Sequence, residues 1–465
     1  MRQEETRSVG KKIIIIGGGP GGYTAAIRAA QMGAETVVFE SAGIGGTCLN
    51  AGCVPTKALL HTAGCYRRIA HNAIPGVNIT GAELDWPSVQ SNKKEAVDRL
   101  AGGVGHLLRH NGVAVRSERA FPLSGNSVRA GNETLAADAV ILASGSANAP
   151  LSFPGSHFPG VIDSTAALSL EEIPKSIVIV GGGVIGVEFA TLFNSFGVKT
   201  TILELTSQLL PSMDGEIAES IRSALTSDGV TIHTGARLLC ADKAPEGLAA
   251  SFDKEGKSLT VTAELLLIAT GRIPNTAGLG LEDVGVKMTR GAIDTDENFR
   301  TNVPGLYAVG DCNGRTMLAH AAMAQGESAV SHIMGAAQSI NNKYIPSCIY
   351  SCPEIASVGM TEEQVLNSGI EYNVGRFNLN GNGRAVIEGV GGFVKIIADK
   401  SLGEVLGVHI TGPYATELIA EAALCMCLEG TVEDIANTIH AHPTVGESLR
   451  EAAMSVFGKP IHSLR

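Results

Sequence analysis

An apolar run that enters a glycine-rich turn and then an alanine-rich helix, with the same strand, glycine turn and helix recurring 164 residues later, predicts an α/β fold with two parallel-sheet units. The length of 465 residues supports this, because a chain of that size exceeds a single hydrophobic core and should divide into two to four domains. At 44% hydrophobic residues there is material for several cores.

The first unit is KKIIIIGGGPGGYTAAIRAAQMGAETVVFE, residues 11–40. Four consecutive isoleucines fit a strand buried on both faces. Gly17, Gly19 and Gly22 follow in the spacing of a dinucleotide fingerprint, and a second apolar strand ends at Glu40. The first glycine permits the tight turn, the second lets backbone approach a pyrophosphate, and the third lets helix pack on sheet. Helix N-terminal amides hold the phosphates, and the terminal acid can accept hydrogen bonds from a ribose. The second unit, SIVIVGGGVIGVEFATLFNSFGVKTTILE, has Gly181, Gly183 and Gly186, with its acid at Glu204. Two Rossmann-like units imply two dinucleotides. No Arg or Lys occurs in LTSQLLPSM after Glu204, so the second unit favours NAD over its 2′-phosphorylated relative.

The composition excludes other classes. Net charge is −11 and basic residues cluster no further than the pairs Lys11-Lys12, Arg67-Arg68 and Lys93-Lys94, which leaves no footprint for nucleic acid or anionic lipid. No run approaches the roughly 20 apolar residues of a membrane span. The N-terminus MRQEETRSVGKK is polar and unlike a signal peptide, so a cytoplasmic protein is expected. Nine cysteines are too few, and odd in number, for a secreted disulfide scaffold, so any disulfide should be a working one. Many of the 57 glycines fall in short clusters at strand ends, and the polar stretch at 72–82 reads as loop.

Cys48 and Cys53 lie five apart in GGTCLNAGCVPTKALL. In an ideal helix such residues sit roughly 8 to 9 Å apart on different faces, whereas a disulfide needs Cα atoms about 4.4 to 6.8 Å apart. Bridging them requires a break in the helix; Asn50 and Gly52 tolerate one, and Pro55 suits the first turn of the helix that continues through Lys57. A redox-active pair beside a nucleotide site is one reading. A zinc site with Cys348 and Cys352 or Cys425 and Cys427, or two unrelated thiols, are the others.

Taken together, GGTCLNAGCVPTKALL, the two fingerprints, ATGRIPN at 269–275, YAVGDC at 307–312 and HAHPTVGE at 440–447 resemble the flavin-dependent pyridine-nucleotide disulfide oxidoreductases over nearly the whole chain. Within that family the resemblance is greatest to the branch that oxidises protein-bound dihydrolipoamide. It implies FAD on the first unit, with Gly17, Gly19, Gly22 and Glu40, Lys57 near the ring, Ser144 and Gly145 of ILASGSANAP, Asp311, and Met317, Leu318, Ala319 and His320 completing the pocket. It implies NAD on the second, with Gly181, Gly183, Gly186, Glu188, Glu204 and Gly271, Glu188 pairing with Lys57. The expected parts are an FAD domain at 1–150, an NAD domain at 151–275, a central segment at 276–345 that completes the FAD site, and an interface domain at 346–465 that makes a homodimer.

The resemblance also assigns roles. His442, oriented by Glu447 and presented to the other subunit, takes a proton from the dithiol, whose thiolate attacks Cys48; the second substrate thiol then releases lipoamide. Cys53 hands the electron pair to FAD, and from there it passes to NAD. His440 is expected to be a structural histidine. The partner is a separate lipoylated carrier of a 2-oxoacid dehydrogenase or glycine cleavage complex, since only about a dozen residues precede the first strand. Glutathione-type reductases fit less well because they take NADPH, and mercuric reductase because it carries a C-terminal cysteine pair that FGKPIHSLR lacks. A transhydrogenase would lack the Cys48–Cys53 pair, and a non-catalytic flavin-binding scaffold would have no need of the cysteines, His442 and Glu447. Ser144 stands where the family often has Thr, and Cys352 where it often has His or Asn.

Overall fold

The computed structural model describes residues 10–70, 74–337 and 340–463. The N-terminal residues 1–9 and positions 72 and 73 of the expected loop lie outside these; residues 74–82 carry neither helix nor strand. The chain forms two compact units, one of Met1–Ala58, Pro87–Ala149 and Arg272–Asn342, the other of Leu59–Trp86, Pro150–Gly271 and Lys343–Arg465.

In the first unit a five-stranded parallel sheet is ordered Leu306–Ala308, Ala139–Leu142, Lys12–Ile16, Glu35–Phe39, Ala114–Arg116. The isoleucine run lies at its centre, and alternation decides where each side chain goes. Ile13 and Ile15 pack with Ala25, Ala26 and Ala29 of the helix Pro20–Gln31 and with Ala329 and Val330 of Ala319–Met334. Ile14 and Ile16 face the other way, onto Ala120, Val128 and Ala130 of an antiparallel meander over 120–136. The two helices meet through small residues: a Cβ on Gly326 would stand 2.6 Å from Gly21 O.

The second unit repeats this plan. Its parallel sheet is ordered Thr231–His233, Lys199–Leu203, Ser176–Val180, Leu265–Ile268, Val161–Asp163, with a meander over 236–263 on one face. The same unit carries an antiparallel sheet, ordered Ser347–Ile349, Ile355–Gly359, Val405–Thr411, Phe393–Asp399, Tyr372–Asn378. Helices Ala415–Cys427, Val432–Asn437 and Glu447–Val456 pack on it around Val394, Ile396, Val408, Ile410 and Leu449. The fold class read from the sequence, α/β with two Rossmann-like units and a C-terminal α+β domain, is the one observed. Among the described residues no helix is long and apolar enough to cross a membrane.

Candidate functional site

Both fingerprint turns are built the same way. Gly17 has φ of 111° and Gly181 of 110°, a left-handed region closed to most side chains. A Cβ on Gly22 would come 1.9 Å from Gly17 O, and one on Gly186 would come 1.9 Å from Gly181 O, so the third glycine is required by the turn itself. The middle glycines differ in kind. A Cβ on Gly183 would meet nothing of the protein within 4 Å, and one on Gly19 only Gly46 Cα at 3.8 Å. Both helices start there with no side-chain cap on their first amides. Open space at the uncapped N-terminus of a helix is what a pyrophosphate needs.

The strand-end acids anchor these loops. Glu40 Oε2 accepts the Gly18 N–H at 2.7 Å and Oε1 that of Ala42 at 2.7 Å. Glu204 is buried; its Oε2 accepts the Gly182 N–H at 2.5 Å and its Oε1 both the N–H and the hydroxyl of Thr206, at 2.6 and 2.7 Å. Each keeps carboxylate lone pairs for a ribose.

Cys48 lies on a short helix, Gly46–Ala51, and Cys53 opens the next, Cys53–Ala70. Between them Gly52 takes φ −150° and ψ −108°, the break the spacing demanded, and its carbonyl accepts the Thr56 hydroxyl at 2.6 Å. Both cysteines are thiols here. The hydrogen bond to Cys53 raises the Cys48 pKa most, followed by burial; the nearby Lys57 charge lowers it and Asp311 raises it. Of these neighbours Lys57 favours the thiolate, and the others hold the thiol.

Asp311 is held by residues the sequence reading passed over. Ser146 donates to Asp311 Oδ2 at 2.5 Å and accepts from Arg272 Nε at 2.7 Å; the same guanidinium grips Ser146 O and Asn148 Oδ1, each at 2.7 Å. Buried Gln325 takes the Gly310 N–H and the Asn313 amide, both at 2.8 Å, fixing the turn that carries Asp311. The buried Ser144 hydroxyl has no well-aligned partner and lies beside the Cys312 sulfur, whose pKa burial pushes up to about 11. Gly145 has φ of 71°, and its carbonyl accepts the Asn275 N–H. Met317 and Leu318 lead into the helix that starts at Ala319, with His320 exposed on its first turn. The available signal was adjacency, since Ser146 is two residues from Ser144 and Arg272 follows Gly271.

In the second unit Glu188 is buried, and its Oε1 accepts the Tyr350 N–H at 3.1 Å. Gly271 has φ of 119°, and a Cβ there would meet nothing within 4 Å. His442 Nδ1 and Glu447 Oε1 are 2.9 Å apart, with the imidazole 78% exposed and the carboxylate 29%. Burial raises the Glu447 pKa, but the Thr444 N–H and His442 outweigh it and hold the carboxyl below its ordinary value. His440 is tied at both nitrogens, to Glu421 Oε1 at 2.8 Å and Thr438 O at 3.1 Å, as a structural histidine would be. Among the described residues no three His, Cys, Asp or Glu side chains are grouped to hold a metal ion.

The chain matches known proteins over nearly its whole length. Residues 11–326 match the family described as pyridine nucleotide-disulphide oxidoreductase, and 345–453 its dimerisation domain. The chain is 40% identical to a dihydrolipoyl dehydrogenase of Bacillus subtilis, over 97% of this chain and 98% of that one. It is 39% identical to the mitochondrial dihydrolipoyl dehydrogenase of Pisum sativum, over 97% and 92%. Among solved structures it is similar to the HOCl-induced flavoprotein disulfide reductase RclA of Escherichia coli, with TM-score 0.84 and 30% identity over 95% of this chain and 99% of that one. LpdA of Mycobacterium tuberculosis gives TM-score 0.86 at 28% identity, over 95% and 99%.

Proposed function

The chain belongs to the pyridine nucleotide-disulphide oxidoreductase family, and from that premise we propose that it is a dihydrolipoyl dehydrogenase, taking two electrons from a protein-bound dihydrolipoamide and reducing NAD⁺. The observation that carries the reading is the 2.9 Å bond between His442 Nδ1 and Glu447, because a dithiol donor must lose a proton before it can attack a disulfide. Glu447 fixes the imidazole with Nδ1–H toward itself and leaves Nε2 free to take the thiol proton. Relatives with that name, 39 to 41% identical over 97% of the chain, support it further.

In the proposed reaction the substrate thiolate attacks Cys48 of the oxidised pair and Cys53 leaves as thiolate. The second substrate thiol then displaces Cys48, giving lipoamide and the reduced pair. The Lys57 charge favours the Cys48 thiolate that this displacement releases. Gly17, Gly19, Gly22, Glu40, Ser144, Gly145, Asp311 and residues 317–320 would hold FAD, for which the open helix start at Gly19 and the gripped Asp311 are suited. Gly181, Gly183, Gly186, Glu188, Glu204 and Gly271 would hold NAD, with Thr206 closing the ribose carboxylate where an NADP site would need a cation. When bound, the flavin supplies the electron acceptor between dithiol and nicotinamide. The dimerisation domain supports a homodimer; on this reading His442 serves the partner subunit's disulfide, the enzyme is cytoplasmic and its electron donor is a lipoylated carrier.

The test follows NAD⁺ reduction with dihydrolipoamide in wild type and Cys48→Ser, and with NADP⁺ in place of NAD⁺. Turnover with NAD⁺ that vanishes in the variant supports the assignment. Bound flavin without dihydrolipoamide oxidation rejects the substrate, and glutathione disulfide and Hg²⁺ would then be assayed as alternatives.

A further inference from the structure

His442 lies on a segment, residues 438–446, with neither helix nor strand, so no backbone ladder sets its position. Something else must hold the imidazole. Thr444, two residues on, is gripped at both ends of its backbone. Its N–H donates to Glu447 Oε2 at 2.9 Å, and its carbonyl accepts from Asn382 Nδ2 at 2.9 Å, from 62 residues away in sequence. Asn382 is buried, and its Oδ1 accepts the Ala385 N–H at 3.0 Å, capping the helix Gly383–Glu388. That bond fixes the orientation of the amide: with oxygen on a backbone N–H, nitrogen must face the Thr444 carbonyl, which only accepts. Val445 packs with Leu379, Ala385 and Leu418 beside it.

Asn382 thus holds the carbonyl of Thr444, and the N–H of the same residue, across its Cα, holds the Glu447 carboxylate that bonds His442. We infer that Asn382 is a positioning residue for the base, fixing the Thr444 backbone so that its N–H holds Glu447 where that carboxylate reaches Nδ1 of His442. The inference rests on the dyad acting as proposed above. It assigns a role in dithiol oxidation to a buried side chain that bonds neither member of the dyad directly. Because these contacts end on the base, loss of the tether should slow the proton-transfer step and leave ground-state binding of the dithiol alone.

Two variants isolate the tether. Asn382→Ser keeps a helix cap but cannot reach Thr444, and Asn382→Asp keeps the capping oxygen and the shape while losing the donor. In the FAD-loaded homodimer, both should lower kcat for dihydrolipoamide oxidation about tenfold, as expected for one buried hydrogen bond acting on the barrier, with KM within about twofold. NADH oxidation by ferricyanide, which needs no dithiol base, should keep its wild-type rate. Unchanged kcat, or an equal fall in both activities, would overturn the inference. Should the wild type not oxidise dihydrolipoamide at all, the functional assignment fails by itself. The same comparison is then made with dithiothreitol, whose attack on the disulfide needs the same base, and equal rates in wild type and variants would again overturn it.

Discussion

Lys395 Nζ stands 3.0 Å from each carboxylate oxygen of Asp214, both side chains only 2% exposed, so a strand of the antiparallel sheet is joined by a buried ion pair to the start of helix Gly215–Ser227. Glu216 and Glu362 add their carboxylates at 2.7 and 2.6 Å, and Arg376 binds both of them. Removing one partner from such a pair leaves the other charge buried and uncompensated. Lys395→Met should therefore cost about 3 to 5 kcal/mol. The double variant Asp214→Asn/Lys395→Met, which keeps an acceptor for the Glu216 N–H, should recover most of that loss in urea unfolding. A single variant as stable as wild type would show that the network contributes nothing.

The same carboxylates should add to the loss of stability in acid. Burial raises the Asp214 pKa, yet the Glu362 N–H and Lys395 outweigh it, and Arg376 followed by Lys395 draws Glu216 down. Both folded values lie below the unfolded ones, so between the two the unfolded chain binds more protons and stability rises with pH. Their contribution is full above the unfolded carboxylate range near pH 4 and is lost as pH falls through the folded values. Melting temperature against pH should drop steeply below about pH 4, and less steeply in Glu216→Gln.

The three glycines of a fingerprint should separate by experiment. Gly183→Ala places its methyl in open space, at a φ of −74° that any residue accepts, so its melting temperature should match wild type. The methyl occupies the space proposed for the NAD pyrophosphate, and KM for NAD⁺ should rise at least about tenfold. Gly186→Ala instead drives a Cβ against Gly181 O and should destabilise the unit. Unaltered NAD⁺ kinetics in Gly183→Ala would remove the proposed site.

What the sequence made legible was local. Ile13–Ile16 and the glycines that follow form strand, turn and helix within one short window, and the Gly52 break follows from the spacing of Cys48 and Cys53. The antiparallel meanders were harder to read, because in a strand such as Lys257–Ala263 Leu259, Val261 and Ala263 alternate with Ser258, Thr260 and Thr262 but only Ala263 is buried, so the short alternation marks no core face. Lys395 reads as a surface residue until Asp214, 181 positions away, is placed against it. The grip of Arg272 and Ser146 on Asp311 joins residues 126 and 165 apart, and the hold of Asn382 on Thr444 spans 62. Each depends on a tertiary contact that no periodicity or motif encodes.

The dyad itself gives the most direct kinetic prediction. The His442 imidazole is exposed while Glu447 is largely covered and held in its charged form, an arrangement that presents a base and keeps its orienting partner fixed. His442→Gln removes the proton acceptor and should lower kcat for dihydrolipoamide by about 10² to 10⁴. Glu447→Gln leaves the imidazole but gives up the charged acceptor at Nδ1, so the fall should be smaller. The Gln amide can still accept that hydrogen at its oxygen, but it no longer stabilises an imidazolium. Ferricyanide reduction by NADH should be spared in both. If His442→Gln oxidised the dithiol at the wild-type rate, the base would have to be another group, and His440, tied at both nitrogens to Glu421 and Thr438, would not be free to replace it.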